Sequence, residues 1–219
     1  MDTSVVVDNL PVYAEAAVLT VRVAAKGILV AFLVGLVCAT IKLFRIPVLR
    51  QIVAAYIELS RNTPLLVQLF FLYFGLPKIG LTMSSETCAV VGLAFLGGSY
   101  MAEAIRTGLE AVEPIQMQSA VSLGMSRGEA LRHVILPQAF TIALPAITAN
   151  VIFLIKETSV VSVVALPDLV YAAKEQIGQS YETREALFLL VTFYLIILLP
   201  VSLGAGWLER KVRSSVFGS

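Results

Sequence analysis

Charged side chains lie within stretches of this sequence that are otherwise apolar. There are three such groups: Glu58 with Arg61, Glu103 with Arg106, and the run Lys156-Glu157-Thr158-Ser159. A charged residue at the centre of a membrane helix costs about 2.5–3.5 kcal/mol on insertion scales, and such residues usually mark a functional site. The run offers both signs of charge and two hydroxyl groups, which suit a small polar solute. The run and Glu103 are therefore candidates for a substrate path.

These residues also have structural explanations, which leave their role open. Residues three apart on a helix are neighbours, so Glu103 can form an ion pair with Arg106. Lys156 lies in the outer half of its apolar segment and can extend its ammonium group to the outer lipid headgroups. Lys156 and Glu157 cannot simply pair with each other, because consecutive helical residues point about 100° apart. We expect at least one of the two to face a wet cavity or another helix.

Several chemistries are excluded by the sequence. It contains no nucleotide-binding loop G-x-x-x-x-G-K-[ST], no H-E-x-x-H and no G-x-S-x-G. The single histidine, His133, lies in a polar segment and is expected to be interfacial, and the net charge of +1 gives no bulk attraction for nucleic acid. Cys38 and Cys88 fall near opposite ends of different apolar segments and are predicted to be free thiols. The sequence thus predicts a chain that is not an enzyme, needs no cofactor and draws energy from a partner protein.

The longest polar segment, residues 113–137, is called the polar loop below. Pro114 suits the first turn of a helix, where its missing N–H is not needed. Gly124 can end that helix in the left-handed conformation. The helix between them is only about 15 Å long, so we interpret it as a docking element rather than an independent domain.

The second half of the polar loop carries its own helix signals. Ser126 and Glu129 have the spacing of a capping box, which predicts that a second short helix begins there. Pro137 disfavours helical geometry at Leu136 and is predicted to end it. The polar loop is therefore predicted to be two short helices joined at residues 124–126.

Five apolar segments are long enough to cross a bilayer of about 30 Å. Hydrophobic residues make up 58% of the chain and charged residues 14%, whereas soluble domains have about half and a quarter. The predicted fold class is all-α, a polytopic membrane protein whose 219 residues form a single transmembrane domain. The predicted spans are residues 16–43, 52–76, 87–111, 139–166 and 186–208.

The second span is predicted to be interrupted. Pro64 disfavours helical geometry at Thr63, and a break at membrane depth is tolerated where neighbouring protein satisfies the backbone. Glu58 and Arg61, just before the break, can form a local ion pair or serve a function, and the sequence leaves both open.

The remaining segments are predicted to lie near the membrane surfaces. Residues 1–15 are expected to be interfacial, and residues 167–183 a re-entrant or surface segment. Arg22 and Lys26, in the first half of the first span, are expected to extend to the headgroups. Gly97-Gly98-Ser99 in the third span predicts a close helix–helix contact.

Positively charged residues indicate the orientation. One set of loops holds only Lys78, Lys174 and Arg184. By the positive-inside rule the richer set is cytoplasmic, which puts the N-terminus outside, the C-terminus inside and the polar loop in the cytoplasm. The richer set comprises Lys42, Arg45, Arg50, Arg106, Arg127, Arg132, Arg210, Lys211 and Arg213.

The polar loop resembles the cytoplasmic loop of type I ABC importer permeases. That family's pattern is Glu-Ala-Ala, three residues, Gly, nine residues, Ile, one residue, Leu-Pro. In this chain Gln118 stands in place of the family's Glu, Ser119 in place of its first Ala, and Val134 in place of its Ile. Gln keeps the hydrogen-bonding reach of Glu without its charge. The matching residues are Gln118, Ser119, Ala120, Gly124, Val134, Leu136 and Pro137.

Three other segments resemble the polar amino acid uptake branch of the same family, the histidine, glutamine and arginine type. They are RNTPLLVQLFFLYFG at 61–75, Tyr100-Met101-Ala102-Glu103, and the run at 156–159. The resemblance covers about residues 15–211, nearly the whole chain.

The resemblance implies partners and a mechanism. It implies a permease dimer, of identical or sister chains, in the bacterial cytoplasmic membrane, with two ATPase subunits below it and a solute-binding protein outside. ATP would close the ATPase dimer, move the polar loop of each permease and open the cavity outward. An amino acid zwitterion would need an anionic and a cationic partner, which Glu157 and Lys156 could supply. The alternative is an ATP-independent channel or secondary carrier for a small polar solute.

Overall fold

The computed structural model describes residues 2–217, except for the side chains of residues 213 and 215–217, and within that range it contains helices and no strand. Nine α-helices follow one another within the described residues. After α3 come a π-helical turn and a 3-10 turn, which together span residues 71–79. The π-helical turn Leu131–Ile135 joins α6 to α7. A 3-10 turn at Thr158–Val164 follows α7. The helices are α1 Thr3–Leu43, α2 Pro47–Arg61, α3 Leu65–Phe70, α4 Ser85–Glu110, α5 Pro114–Ser122, α6 Arg127–Ala130, α7 Leu136–Glu157, α8 Leu169–Ser180 and α9 Thr183–Phe217.

Four helical segments of the described chain are long and apolar enough to cross a membrane: Thr3–Leu43, Ser85–Glu110, Arg127–Val164 and Thr183–Val212. They correspond to the predicted first, third, fourth and fifth spans. The predicted second span is divided between α2 and the shorter apolar segment Leu65–Ile79. The break falls at residues 62–64, as Pro64 predicted. Gln68 stabilises it, because its side-chain amide donates to the carbonyl of Thr63 at 2.9 Å.

The first helix starts well before the predicted first span and includes most of residues 1–15, which are expected to be interfacial. α1 begins at Thr3, because Asp2 caps it by accepting a hydrogen bond from the Ser4 amide at 2.9 Å. Tyr13 is fully buried against α8 and α9, which gives this early part of the helix tertiary support. With 41 residues α1 is about 60 Å long, about twice the thickness of a bilayer core.

α4 is the central helix, and it packs closely against α1 and α7. A side chain at Gly35 of α1 would come within 2.4 Å of Met101, and one at Gly97 within 2.6 Å of Leu154 and 2.8 Å of Ala31. The predicted close contact at residues 97–99 is therefore confirmed. Small residues let these backbones approach, which is how helices gain packing energy in an apolar solvent.

The prediction that Pro137 ends the second helix of the polar loop was wrong. Leu136 has helical angles, φ −60° and ψ −42°, and the helix continues into α7. The preceding turn, Leu131–Ile135, is π-helical and therefore contains one extra residue. Pro137 is the second residue of α7, directly after this π turn.

The structure shows what the residues predicted to lie near the membrane surfaces contact. Arg22 and Lys26 both bind Glu86 of α4, at 2.9 and 2.7 Å. Most of the segment 167–183 is the helix α8, capped by Asp168 and fixed to α1 by the Leu169 amide, which donates to the Thr20 hydroxyl at 3.3 Å. Cys38 and Cys88 are both buried free thiols, as predicted.

Candidate functional site

A polar cavity lies beside the break between α2 and α3. We call it the charged cavity; its volume is about 350 Å³. It is formed where the chain leaves α2 and faces the middle of α4 and the end of α7. Its lining residues are Arg61, Asn62, Thr63, Pro64, Leu65, Leu66, Leu96, Tyr100, Phe153, Glu157 and Val160.

Arg61 supplies the positive charge of this cavity. Its guanidinium carbon lies 5.1 Å from the centre of the Tyr100 ring, within cation–π range. Tyr100 in turn packs on Phe153, with ring centres 5.3 Å apart. The described residues show no ion pair between Arg61 and Glu58, so the local pair that the sequence allowed does not form.

Glu157 supplies the negative charge. It is half-buried at the end of α7. No hydrogen bond or ion pair joins its carboxylate to any other residue that the structure describes. The charged cavity thus holds one cation and one anion, and neither is neutralised by another charged residue of the described chain.

The other predicted substrate-path residues lie elsewhere. Lys156 is exposed and outside the charged cavity. Thr158 is buried, and its hydroxyl donates to the Ile155 carbonyl at 2.7 Å; Ser159 is half-buried next to it. Glu103 binds Lys42 at 2.9 Å and Arg106 at 2.7 Å, so the structural explanation allowed for it is the one observed.

From its first helix to the start of its second, the polar loop has the local structure that its sequence predicted. Gly124 has φ +92°, and α5 ends in a Schellman motif. In this motif the Gly124 amide donates to the Val121 carbonyl at 3.0 Å and the Met125 amide to the Ala120 carbonyl at 3.2 Å. The capping box between Ser126 and Glu129 is present in both directions.

The predicted coupling residues differ in exposure. Gln118, Ser119, Gly124, Leu136 and Pro137 are exposed, and Ala120 is buried. A small core of Val112, Ile135 and Ala139, with Met117 and Leu131 packed on it, holds the polar loop against the ends of α4 and α7.

The outer surface of the polar loop is apolar. Leu123 is 83% exposed, and Ile115, Val121 and Met125 beside it are also exposed. A group of exposed apolar side chains outside the long spans marks an interaction surface.

Sequence reasoning missed that Arg61, Tyr100 and Glu157 line one cavity. The break at Pro64 was the available signal, because an interrupted helix exposes backbone and side chains to a cavity. The partner residues are 39 and 96 positions away, and no local spacing rule connects them.

The described chain is a bundle with four helical segments long and apolar enough to cross a membrane, a charged cavity beside the break between α2 and α3, and a structured polar loop, an architecture that suits a transport permease. The chain matches the family model described as binding-protein-dependent transport system inner membrane component over residues 31–214, and it belongs to this family. It is therefore the membrane component of such a system and not its ATPase.

Curated relatives match the chain over almost its full length. The probable glutamine ABC transporter permease protein GlnM of Bacillus subtilis (strain 168) is 32% identical, covering 98% of this chain and 100% of the relative. The arginine transport system permease protein ArtQ of the same organism is 30% identical, covering 98% and 99%. The glutamine transport system permease protein GlnP of Escherichia coli (strain K12) is also 30% identical, covering 97% and 98%.

Solved structures have the same fold. A crystal structure of an amino acid ABC transporter with histidines matches with a TM-score of 0.90 and 33% identity, covering 96% of this chain and 99% of that one. An inward-facing form of the MetNI methionine ABC transporter matches with a TM-score of 0.77 and 18% identity, covering 94% and 98%, a likeness of fold alone.

Proposed function

We propose that this chain is the permease of an ATP-driven importer of a small polar amino acid and that the charged cavity is part of its substrate path. The observation that carries the proposal is that Arg61 and Glu157 line one cavity with no acidic or basic partner among the described residues. The relatives named for glutamine and arginine transport, and the transporter structure solved with histidines, support an amino acid as the substrate class.

The chemistry of the cavity suits a zwitterion. A guanidinium group binds a carboxylate through two parallel hydrogen bonds, and the Glu157 carboxylate can accept from an ammonium group. A volume of about 350 Å³ lies at the small end of the range for ligand sites, about 300–1,000 Å³. Bringing a charged solute out of water is unfavourable unless both its charges are paired, and the cavity offers both partners.

The polar loop is proposed to couple transport to a partner ATPase. Its Schellman end and capping box fix the turn at residues 124–126, and the small core at Val112 and Ile135 joins it to α4 and α7. A rigid element transmits a displacement to both helices. Gln118, Ser119, Ala120 and Gly124 are proposed to form the contact, with Leu136 and Pro137 holding the base of the loop.

The arrangement of partners is part of the proposal. An ATPase dimer is proposed to bind the apolar outer surface of the polar loop, and a second permease, identical or a sister chain, to complete the path. A solute-binding protein is proposed to deliver the amino acid at the opposite face. The split of basic residues supports a cytoplasmic polar loop, an external N-terminus and a cytoplasmic C-terminus.

Uptake by charge-removing variants tests the substrate path. In the complete transporter, Arg61→Gln and Glu157→Gln should each lower the uptake rate at least tenfold, because each leaves one charge of the bound solute unpaired and so costs more than about 1.4 kcal/mol. Lys156→Gln is the matched control, since it removes a neighbouring charge outside the cavity. Normal uptake and unchanged substrate preference in both cavity variants would mean that recognition lies elsewhere.

Two substitutions at Gly124 test the coupling role. Apart from the adjacent residues, no described atom lies within 4 Å of a Cβ atom placed there. Among the described residues the left-handed backbone is therefore the constraint, and Asn tolerates that conformation better than Ala. If Gly124 only ends a helix, Gly124→Ala should be the more damaging variant. If Gly124 contacts the ATPase, the larger Asn should reduce uptake and transport-coupled ATP hydrolysis at least as strongly as Ala. Uptake that persists without ATPase subunits would contradict the whole proposal and favour a secondary carrier.

A further inference from the structure

A second cavity lies where α1 turns into α2 beside the end of α4. We call it the basic cavity; its volume is about 290 Å³ and every residue of its wall is charged. Four of the six residues are basic and two are acidic, so the wall carries a net charge of +2. It shares no residue with the charged cavity. The wall consists of Lys42, Arg45, Arg50, Glu103, Arg106 and Glu110.

Both carboxylates of this wall are already paired. Glu103 accepts from Lys42 Nζ at 2.9 Å through one oxygen and from Arg106 Nη2 at 2.7 Å through the other. Glu110 also accepts from Arg106. Arg45 and Arg50 are exposed and have no acidic partner among the residues that the structure describes. The excess positive charge therefore sits on these two guanidinium groups, at the open side of the cavity.

The turn that carries Arg45 and Arg50 is also apolar on its surface. Phe44 is 63% exposed, and Leu43, Ile46 and Leu49 are each at least 40% exposed. A ligand that contacts both the guanidinium groups and these side chains would be anionic at one end and apolar at the other. A phospholipid with a net negative charge has this chemistry, and basic pockets between membrane helices bind such headgroups.

We propose that the basic cavity binds the phosphate of an anionic phospholipid, with Arg45 and Arg50 as its direct ligands and the acyl chains beside Phe44 and Leu49. In the orientation proposed above, the lipid comes from the cytoplasmic leaflet. The Glu103 pairs hold Lys42 and Arg106 at the back of the cavity and join the end of α1 to α4. The bound lipid would thereby contact two helices of the bundle at once.

Lipid retention by the purified full-length chain tests this proposal without any transport measurement, so its outcome is independent of the proposed substrate and partners. Native mass spectrometry would compare phosphatidylglycerol with phosphatidylcholine. Arg45→Asn combined with Arg50→Gln should weaken phosphatidylglycerol retention about 25-fold and leave phosphatidylcholine unchanged. The 25-fold change corresponds to about 1 kcal/mol per arginine. Asn is chosen because Arg45 has φ +52°, a conformation that Asn tolerates.

Two further variants sharpen the test. Glu110→Gln raises the net charge of the wall and should strengthen phosphatidylglycerol retention about fivefold, again about 1 kcal/mol. Arg210→Gln combined with Lys211→Gln removes the same charge outside the cavity and should retain the lipid. This control pair belongs to the same predicted cytoplasmic set of basic residues as Arg45 and Arg50.

Four results would overturn the proposal. The first is normal phosphatidylglycerol retention by the cavity variant, and the second is an equal loss in the control pair, which would indicate general surface attraction. The third is displacement of the lipid by millimolar inorganic phosphate, which would make this a site for a free anion. The fourth is displacement by added ATPase subunits, which would make it part of a protein interface.

Discussion

Adding one methyl group at Gly108 should separate α4 from α7. A Cβ atom there would lie 2.5 Å from the Ala139 carbonyl oxygen, 2.6 Å from Ala143 Cβ and 3.0 Å from the Ala143 amide nitrogen. Ordinary contact begins at 3.4 Å, so the helices must move apart by about 0.9 Å. Two of the three atoms belong to the backbone and cannot rotate away. Overpacking of this kind costs about 1–3 kcal/mol.

The matched control is Gly204→Ala in α9, where no described atom beyond the adjoining backbone of that helix lies within 4 Å of the new methyl group. Both variants gain about 1 kcal/mol of helix propensity from the exchange of Gly for Ala. Their difference therefore isolates the packing cost. For a chain of this size, about 2 kcal/mol corresponds to a difference in Tm of about 4–8 °C, with Gly108→Ala the lower.

Thermal unfolding of the purified chain in detergent measures this difference. Gly108 lies just before the polar loop and Ala139 just after it, so the same displacement should also weaken transport-coupled ATP hydrolysis in the complete transporter. Equal Tm values for the two variants would refute the reasoning, because the contact would then not constrain the helices. A lowered Tm for Gly108→Ala together with normal transport-coupled ATP hydrolysis would refute only the predicted effect on coupling.

Three further predictions concern the opposite face of the bundle. Burial raises the pKa of the Asp168 carboxyl from 3.8 to about 6, so the folded state favours the protonated carboxyl. The contribution of Asp168 to stability is therefore complete below pH 3.8 and is lost as the pH rises through about 6. Asp168→Asn keeps a helix cap. Between about pH 4 and 8, the Tm of this variant should fall less than that of the unchanged protein. Tyr13→Phe should lower the Tm by several degrees, because it removes the buried hydrogen bond to Gln176 at 2.9 Å, which costs about 1–3 kcal/mol. Glu86→Gln should change the Tm by less than about 4 °C, because both its basic partners are more than half exposed.

Local signals in the sequence predicted local structure well where the chemistry is confined to one turn. The capping box at Ser126 and the left-handed glycine at Gly124 were read correctly, because each depends on hydrogen bonds between residues at most five apart. Another local rule, that a proline ends a helix at the residue before it, was wrong at Pro137. There the π turn before α7 and the burial of Ile135 and Ala139 against Val112 keep the helix continuous.

The predicted spans did not determine where the helices begin. Hydropathy over a window finds an apolar segment but not the solvated end of its helix. α1 begins at Thr3, before the predicted span, because Asp2 caps it and Tyr13 is buried by α8 and α9. The break in the second span was predicted, because a proline restricts the residue before it regardless of context.

The sequence by itself determined that this chain crosses a membrane as helices, that it carries a rigid polar loop, and that it resembles an importer permease. These properties follow from composition and from short-range backbone chemistry. Only the tertiary structure decided that Arg61 and Glu157 share a cavity, while Lys156 lies outside it and Glu103 is bound to Lys42. The physical reason is that lipid and protein interior are about equally apolar, so hydropathy does not fix which face of a membrane helix turns inward. That rotation depends on packing between helices at small residues such as Gly35 and Gly97, which no local spacing rule connects to Arg61.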